Sequence, residues 1–84
     1  MEEVKQEIGE SVKVVASFAP QKIAVHFFDW RGRTYKVEST NLFHIARDGE
    51  KKLYHLSISA GGNAYELVFD PTTLNWSLES ICSL

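Results

Sequence analysis

From Ser11 onward, apolar residues recur at every second position and turn-forming residues interrupt them every 10–15 residues. A period of two is the spacing of one face of a β-strand, and regular interruption by turns is the mark of consecutive antiparallel strands. This pattern limits what the chain can fold into more than any other feature. It predicts strands near 11–18, 22–30, 33–46, 51–60, 64–70 and 75–82. The turns between them are Ala19-Pro20-Gln21, Arg31-Gly32, Asp48-Gly49, Gly61-Gly62 and Pro71-Thr72-Thr73-Leu74. Asp-Gly and Gly-Gly suit two-residue hairpin loops because the central residues need positive φ.

The turns fix a register. Across Arg31-Gly32, Trp30 faces Arg33, Phe28 faces Tyr35 and His26 faces Val37. Across Asp48-Gly49, Phe43 faces Tyr54 and Ile45 faces Lys52. Across Gly61-Gly62, Ile58 faces Tyr65, Leu56 faces Leu67 and Tyr54 faces Phe69. Across the Pro71 loop, Phe69 faces Trp76 and Leu67 faces Leu78. A slip of one residue would send every side chain to the other face, yet all four turns put neighbouring apolar residues on the same face. The expected fold is a mainly β, six-stranded antiparallel meander, strongly twisted or closed into a small barrel. A flat sheet with so apolar a face would be insoluble, so it must curl, be covered, or pair. Ser39-Thr40-Asn41 interrupts the long third strand, where a bend or bulge is expected.

Two regions depart from this scheme. Residues 1–10 read as a tail or a short N-terminal helix, with Val4 and Ile8 four apart and Gly9 able to end the turn; residues 11–84 then form a single β domain. With a three-residue first turn, Val14 faces His26, and Val15, Ile23, Val25 and Phe27 share the outer face as an apolar spot suited to a protein interface.

Composition narrows the function. The chain has 84 residues and one cysteine, Cys82, so neither an internal disulfide nor a cysteine-built metal site is available. A small domain without disulfides suits a reducing compartment, and the acidic start, Met-Glu-Glu-Val-Lys-Gln-Glu, does not resemble a signal peptide; the expected location is cytoplasmic. Net charge is −2. The positive excess gathers in the middle of the chain, at Arg31, Arg33, Lys36, Arg47, Lys51 and Lys52.

A search for chemistry finds little. His44 and His55 fall as diagonal neighbours on adjacent strands of the solvent face with no third ligand beside them, and His26 falls on the core face. His55 and Ser57 share a strand face without an orienting group or an oxyanion site. Glu66 and Asp70 are about 13 Å apart at strand rise, too far for joint acid–base work. No catalytic residue, metal site or cofactor is expected. What remains is binding: protein contact or self-association through Val15, Ile23, Val25 and Phe27, or weak binding of single-stranded nucleic acid through Arg31, Arg33, Lys36, Lys51 and Lys52.

Phe28-x-Trp30-Arg31-Gly32-Arg33-x-Tyr35-Lys36-Val37, then Tyr54, Gly62-x-x-Tyr65-Glu66-Leu67 and Trp76-x-Leu78, together resemble a small bacterial β domain of unknown function. That domain occurs alone and at the C-termini of Y-family polymerase-like DNA-repair proteins. The likeness covers roughly residues 22–80. It implies a small β domain with a loose link to DNA repair, and it brings no catalytic residues. Asn41-Leu42-Phe43-His44-Ile45 stands where that domain tends to be tryptophan-rich, and Arg47-Asp48-Gly49-Glu50 is shorter and less basic than its central loop.

Overall fold

Five tight turns organise the computed structural model, which describes residues 5–83, with backbone alone at residue 42. The strands are β1 (Lys5–Ala19), β2 (Lys22–Trp30), β3 (Arg33–Lys36), β4 (Ser39–Asp48), β5 (Lys51–Ala60), β6 (Asn63–Asp70) and β7 (Asn75–Ser83). All described residues in regular structure are β, in one antiparallel sheet of order β3-β2-β1-β7-β6-β5-β4. The sheet curls into a half-barrel around Phe28, Leu56, Ile58, Leu67 and Leu78, which are fully buried.

The expected registers across Arg31-Gly32, Gly61-Gly62 and the Pro71 loop are those observed. Arg31 and Gly32 both take positive φ, 50° and 76°, the conformation a two-residue turn between twisted strands needs. The loop after β6 is closed by Asp70, whose side chain accepts from the Thr72 amide at 2.9 Å and whose carbonyl accepts from the Leu74 amide at 2.8 Å.

Four expectations need correction. There is no N-terminal helix in residues 5–9: they begin β1 and pair with β7, Lys5 opposite Cys82 and Glu7 opposite Ser80. Gly9, at φ 69°, lies in a bulge between Glu7 and Glu10, and Ile8, an even number of residues before Val12 and Val14, packs with them against the core. A spacing of four is even and so suits one face of a strand as well as a helical turn; Val4 lies outside the described residues. The meander is also not simple, because β1 pairs with both β2 and β7. The predicted third strand is two, so the sheet has seven strands and not six. Its expected irregularity is present, as a register shift between Thr40 and Leu42. Finally, the turn after β4 is centred on Gly49-Glu50, with Asp48 opposite Lys51. Gly49 alone takes positive φ there, as a turn with glycine at its first central position requires. The register moves by two residues, so Phe43 and Ile45 keep their face but oppose Leu56 and Tyr54.

The first hairpin differs in a way that changes the surface. Ala19 faces Lys22 across a two-residue turn, Pro20-Gln21, with Gln21 at φ 61°. Proline then a residue of positive φ is the type II combination. Val14 faces Phe28, not His26. A register shift follows: Val15 faces Phe27, yet Ala16 faces Val25, so His26 is an extra residue in β2. The bulge reverses the alternation. Ile23 and Val25 turn inward, at 7% and 4% exposure, while Val15 and Phe27 stay outside at 60% and 40%. The four residues therefore do not share one face.

Leu67 and Leu78 oppose each other on neighbouring strands at the centre of the core, both wholly buried. Leu67→Ala is expected to lower unfolding stability by about 2–5 kcal/mol, a large part of what so small a domain holds. Denaturant titration followed by circular dichroism checks this.

Candidate functional site: two grooves beside a pinned seam

Consecutive residues Val37 and Glu38 bond to opposite ends of the sheet. The Val37 amide donates to the His26 carbonyl on β2 at 2.9 Å, and the Glu38 amide donates to the Ser59 carbonyl on β5 at 2.8 Å. The two ends of the sheet are thereby pinned together at one place. Just beyond it, the Val25 amide donates to Thr40 Oγ1 at 3.1 Å. On either side the edges part and leave a groove.

The first groove, about 370 Å³, lies between β2 and β4 and is lined by Gln21, Lys22, Ile23, Ala24, Thr40, Asn41 and Phe43. Here β4 is the last strand of the sheet, and its edge away from β5 carries no strand among the described residues. Phe43 and Ile45 are exposed on the inner side of this strand. An aromatic row leads from them into the core: Phe43 to Tyr54 at 5.5 Å, Tyr54 to Phe69 at 6.1 Å, and Phe69 to Trp76 at 4.7 Å. Phe18, also exposed, meets Phe69 from the other side at 5.5 Å. The sequence pattern assigned Phe43 and Ile45 to the core face; they are on it, at its open end.

The second groove, about 700 Å³, lies where β3 diverges from the Gly61-Gly62 hairpin. Trp30, Tyr35 and Tyr65 form its floor, and Arg33, Lys36, Thr34, Asn63 and Gln6 stand around it.

The five basic residues singled out from the sequence do not form one patch. Arg33 and Lys36 share this second groove with Ala60, the last residue of β5. Lys51 and Lys52 begin the same strand, roughly 30 Å away at strand rise. Lys51 lies 4.0 Å from Asp70. Arg31 is exposed but paired with Glu10. Its Nη2 donates to Glu10 Oε2 at 2.6 Å, and its guanidinium carbon sits 4.7 Å from the centre of the Trp30 ring. Glu10 Oε1 also accepts from Trp30 Nε1 at 3.1 Å. The Arg31 hydrogen bonds, then that of Trp30, hold the Glu10 carboxyl below its ordinary range, and Glu10 raises Arg31 in return. The sequence pattern does not single out Glu10, because the alternation it predicts for the first strand begins at Ser11. Its signal was its phase: it lies two residues before Val12 and four before Val14, a carboxylate on an inward-facing row.

The histidines take other positions than expected. His44 and His55 are directly opposed, not diagonal, and their rings stack at 4.9 Å. His55 Nδ1 is 3.8 Å from Glu66 Oε2. No group of three His, Cys, Asp or Glu side chains among the described residues is placed to hold a metal. His26 is on the outer face, not the core face, because of the β2 bulge, and its Nε2 is hydrogen-bonded to Ser17 Oγ at 2.9 Å. That exposed pair lines neither groove. Among the described residues no helix is long and apolar enough to cross a membrane.

Comparison with protein-family models, with curated proteins and with solved structures finds no match.

The Glu10–Trp30–Arg31 contact has a pH signature. A depressed carboxylate stabilises the fold above its unfolded pKa, and the contribution is lost as pH falls through the lower, folded value. The Trp30 indole N–H resonance is therefore expected to move at a pH below the usual carboxylate midpoint. Glu10→Gln keeps an acceptor for Trp30 but removes the charge, and is expected to abolish that step in an NMR titration.

Proposed function

We propose that this chain is a non-enzymatic β module whose work is a protein contact, made by adding an extended strand to the free edge of β4. One observation carries this reading: an open strand edge and an exposed apolar row, Phe43 and Ile45, lie on the same strand. Free edges offer unpaired backbone donors and acceptors to an incoming strand. Strand addition takes its affinity from those groups and its selectivity from alternate side chains. Native sheets usually blunt such edges with charge or proline. The charged residues of β4, Arg47 and Asp48, stand only at its far end.

The occupant that fits is a second copy of the chain. Two antiparallel β4 edges form an isologous contact, in which the same patch serves both partners, and each apolar row meets its own counterpart. The catalytic alternative has less behind it. Glu66 lies 3.8 Å from His55 through Oε2 and accepts from Ser80 Oγ through Oε1 at 3.4 Å. The serine's hydrogen bond runs to Glu66 and not to the histidine that would activate a nucleophile.

Sedimentation velocity over a range of concentrations tests the proposal. The native chain is expected to dimerise, and Ile45→Lys, at an exposed position, to stay folded and monomeric. Val15→Lys, on the outer face, is expected to dimerise like the native chain. A native chain that remains monomeric at every concentration overturns the proposal. Loss of the dimer in Val15→Lys but not in Ile45→Lys would move the contact to the outer face.

A further inference from the structure

The groove beside β3 is set apart by its charge. Its lining holds Arg33 and Lys36 and no carboxylate, although the chain has eleven acidic residues against nine Lys and Arg. Both cations are exposed, Arg33 opposite Trp30 on the inner face and Lys36 opposite Phe27 on the outer side of the β3 edge. Between them and the Gly61-Gly62 hairpin the floor is aromatic, with the Trp30 and Tyr65 rings centred 6.2 and 5.8 Å from that of Tyr35.

These rings are held from behind. Phe28 stacks on Tyr35 at 4.9 Å and meets the edge of Tyr65 at 5.1 Å. Trp30 is fixed by its hydrogen bond to Glu10 and by the Arg31 guanidinium over its face. Each of these stacks uses one face of a ring, and both Trp30 and Tyr35 still line the groove. Gln6, Thr34 and Asn63 add neutral donors and acceptors around it.

We propose that this groove binds single-stranded nucleic acid, seating one or two bases against Trp30 and Tyr35 while Arg33 and Lys36 hold the adjoining phosphates. Flat apolar surface and cationic charge side by side are what an unpaired nucleotide requires, since its base stacks and its phosphate pairs. An acidic peptide would use the two cations but leave the rings without a planar partner. A duplex keeps its bases stacked on one another and presents only phosphates. This site is separate from the β4 edge, and its test does not depend on strand addition.

Two cations also fix how binding responds to salt. Single strands lose affinity with a slope of about −0.7 in log K against log salt for each phosphate neutralised, so this groove gives about −1.4. The five-residue basic set, acting as one surface, would give about −3.5.

The chain has two tryptophans, and only Trp30 lines this groove. In a Trp76→Phe background, Trp30 fluorescence therefore reports the site. Titration at low salt with a short oligothymidylate is expected to quench it saturably, with the shallow slope. Polyglutamate and inorganic polyphosphate are expected to leave it unquenched. Arg33→Ala/Lys36→Ala, both at exposed positions, is expected to lower affinity about tenfold and flatten the slope. Lys51→Ala/Lys52→Ala is expected to bind like the parent, and circular dichroism confirms that each variant is folded. Absence of quenching, equal quenching by polyglutamate or polyphosphate, a slope near −3.5, or loss of binding in the Lys51/Lys52 variant overturns the proposal.

Discussion

Two neighbouring amides, Val37 and Glu38, donate to opposite ends of the same sheet. The rest of the structure depends on this constraint. Strands at the two ends of a seven-stranded order are joined by only two residues, so the sheet cannot lie flat. Right-handed twist supplies the curl and the short connection fixes where the ends meet. Curling buries Leu56, Ile58, Leu67 and Leu78 on the concave side, at about 1.5–3 kcal/mol for each large side chain removed from water. Pinning at one point also explains why there are two grooves. The edges converge at the Val37–Glu38 step and part on both sides of it.

Bulges decide what each groove displays. The extra residue at His26 turns Ile23 and Val25 into the core and leaves Val15 and Phe27 outside. The bulge at Gly9 lets β1 continue past its first irregularity and pair with β7. On the near side of that bulge, opposite Leu78, Glu10 reaches Trp30 and Arg31. One carboxylate thus pairs an exposed arginine and steadies the tryptophan that floors the larger groove. The Trp-Arg-Gly-Arg hairpin is divided by function: Trp30 and Arg31 are both bonded to Glu10, and Arg33 stands beside the aromatic floor.

Much of this was legible in the sequence, because the information is local. Strands β5, β6 and β7 follow from alternation and from turns whose residues dictate the loop; the pairs expected beside those turns are present, and β6 and β7 then shift by one residue between Glu66 and Leu67. The hairpin at Arg31-Gly32 was equally plain. The turn at Gly49-Glu50 was misplaced by one residue, since Asp-Gly and Gly-Glu both offer a glycine of positive φ. The cost was small: the register moved by two, and side-chain faces survive any even shift.

By itself the sequence determined an all-β chain, the alternation that supplies the core, and three of the hairpin registers, each set by residues close together along the chain. Tertiary structure alone decided that β1 lies against β7, that Ile23 and Val25 face inward, that Arg33 and Lys36 stand far from Lys51 and Lys52, and that Glu10 meets Arg31. The physical reason is the same in each case. A pairing between distant strands and a bulge that reverses alternation both depend on which surfaces the curled sheet must bury, and periodicity along the chain carries no record of that choice.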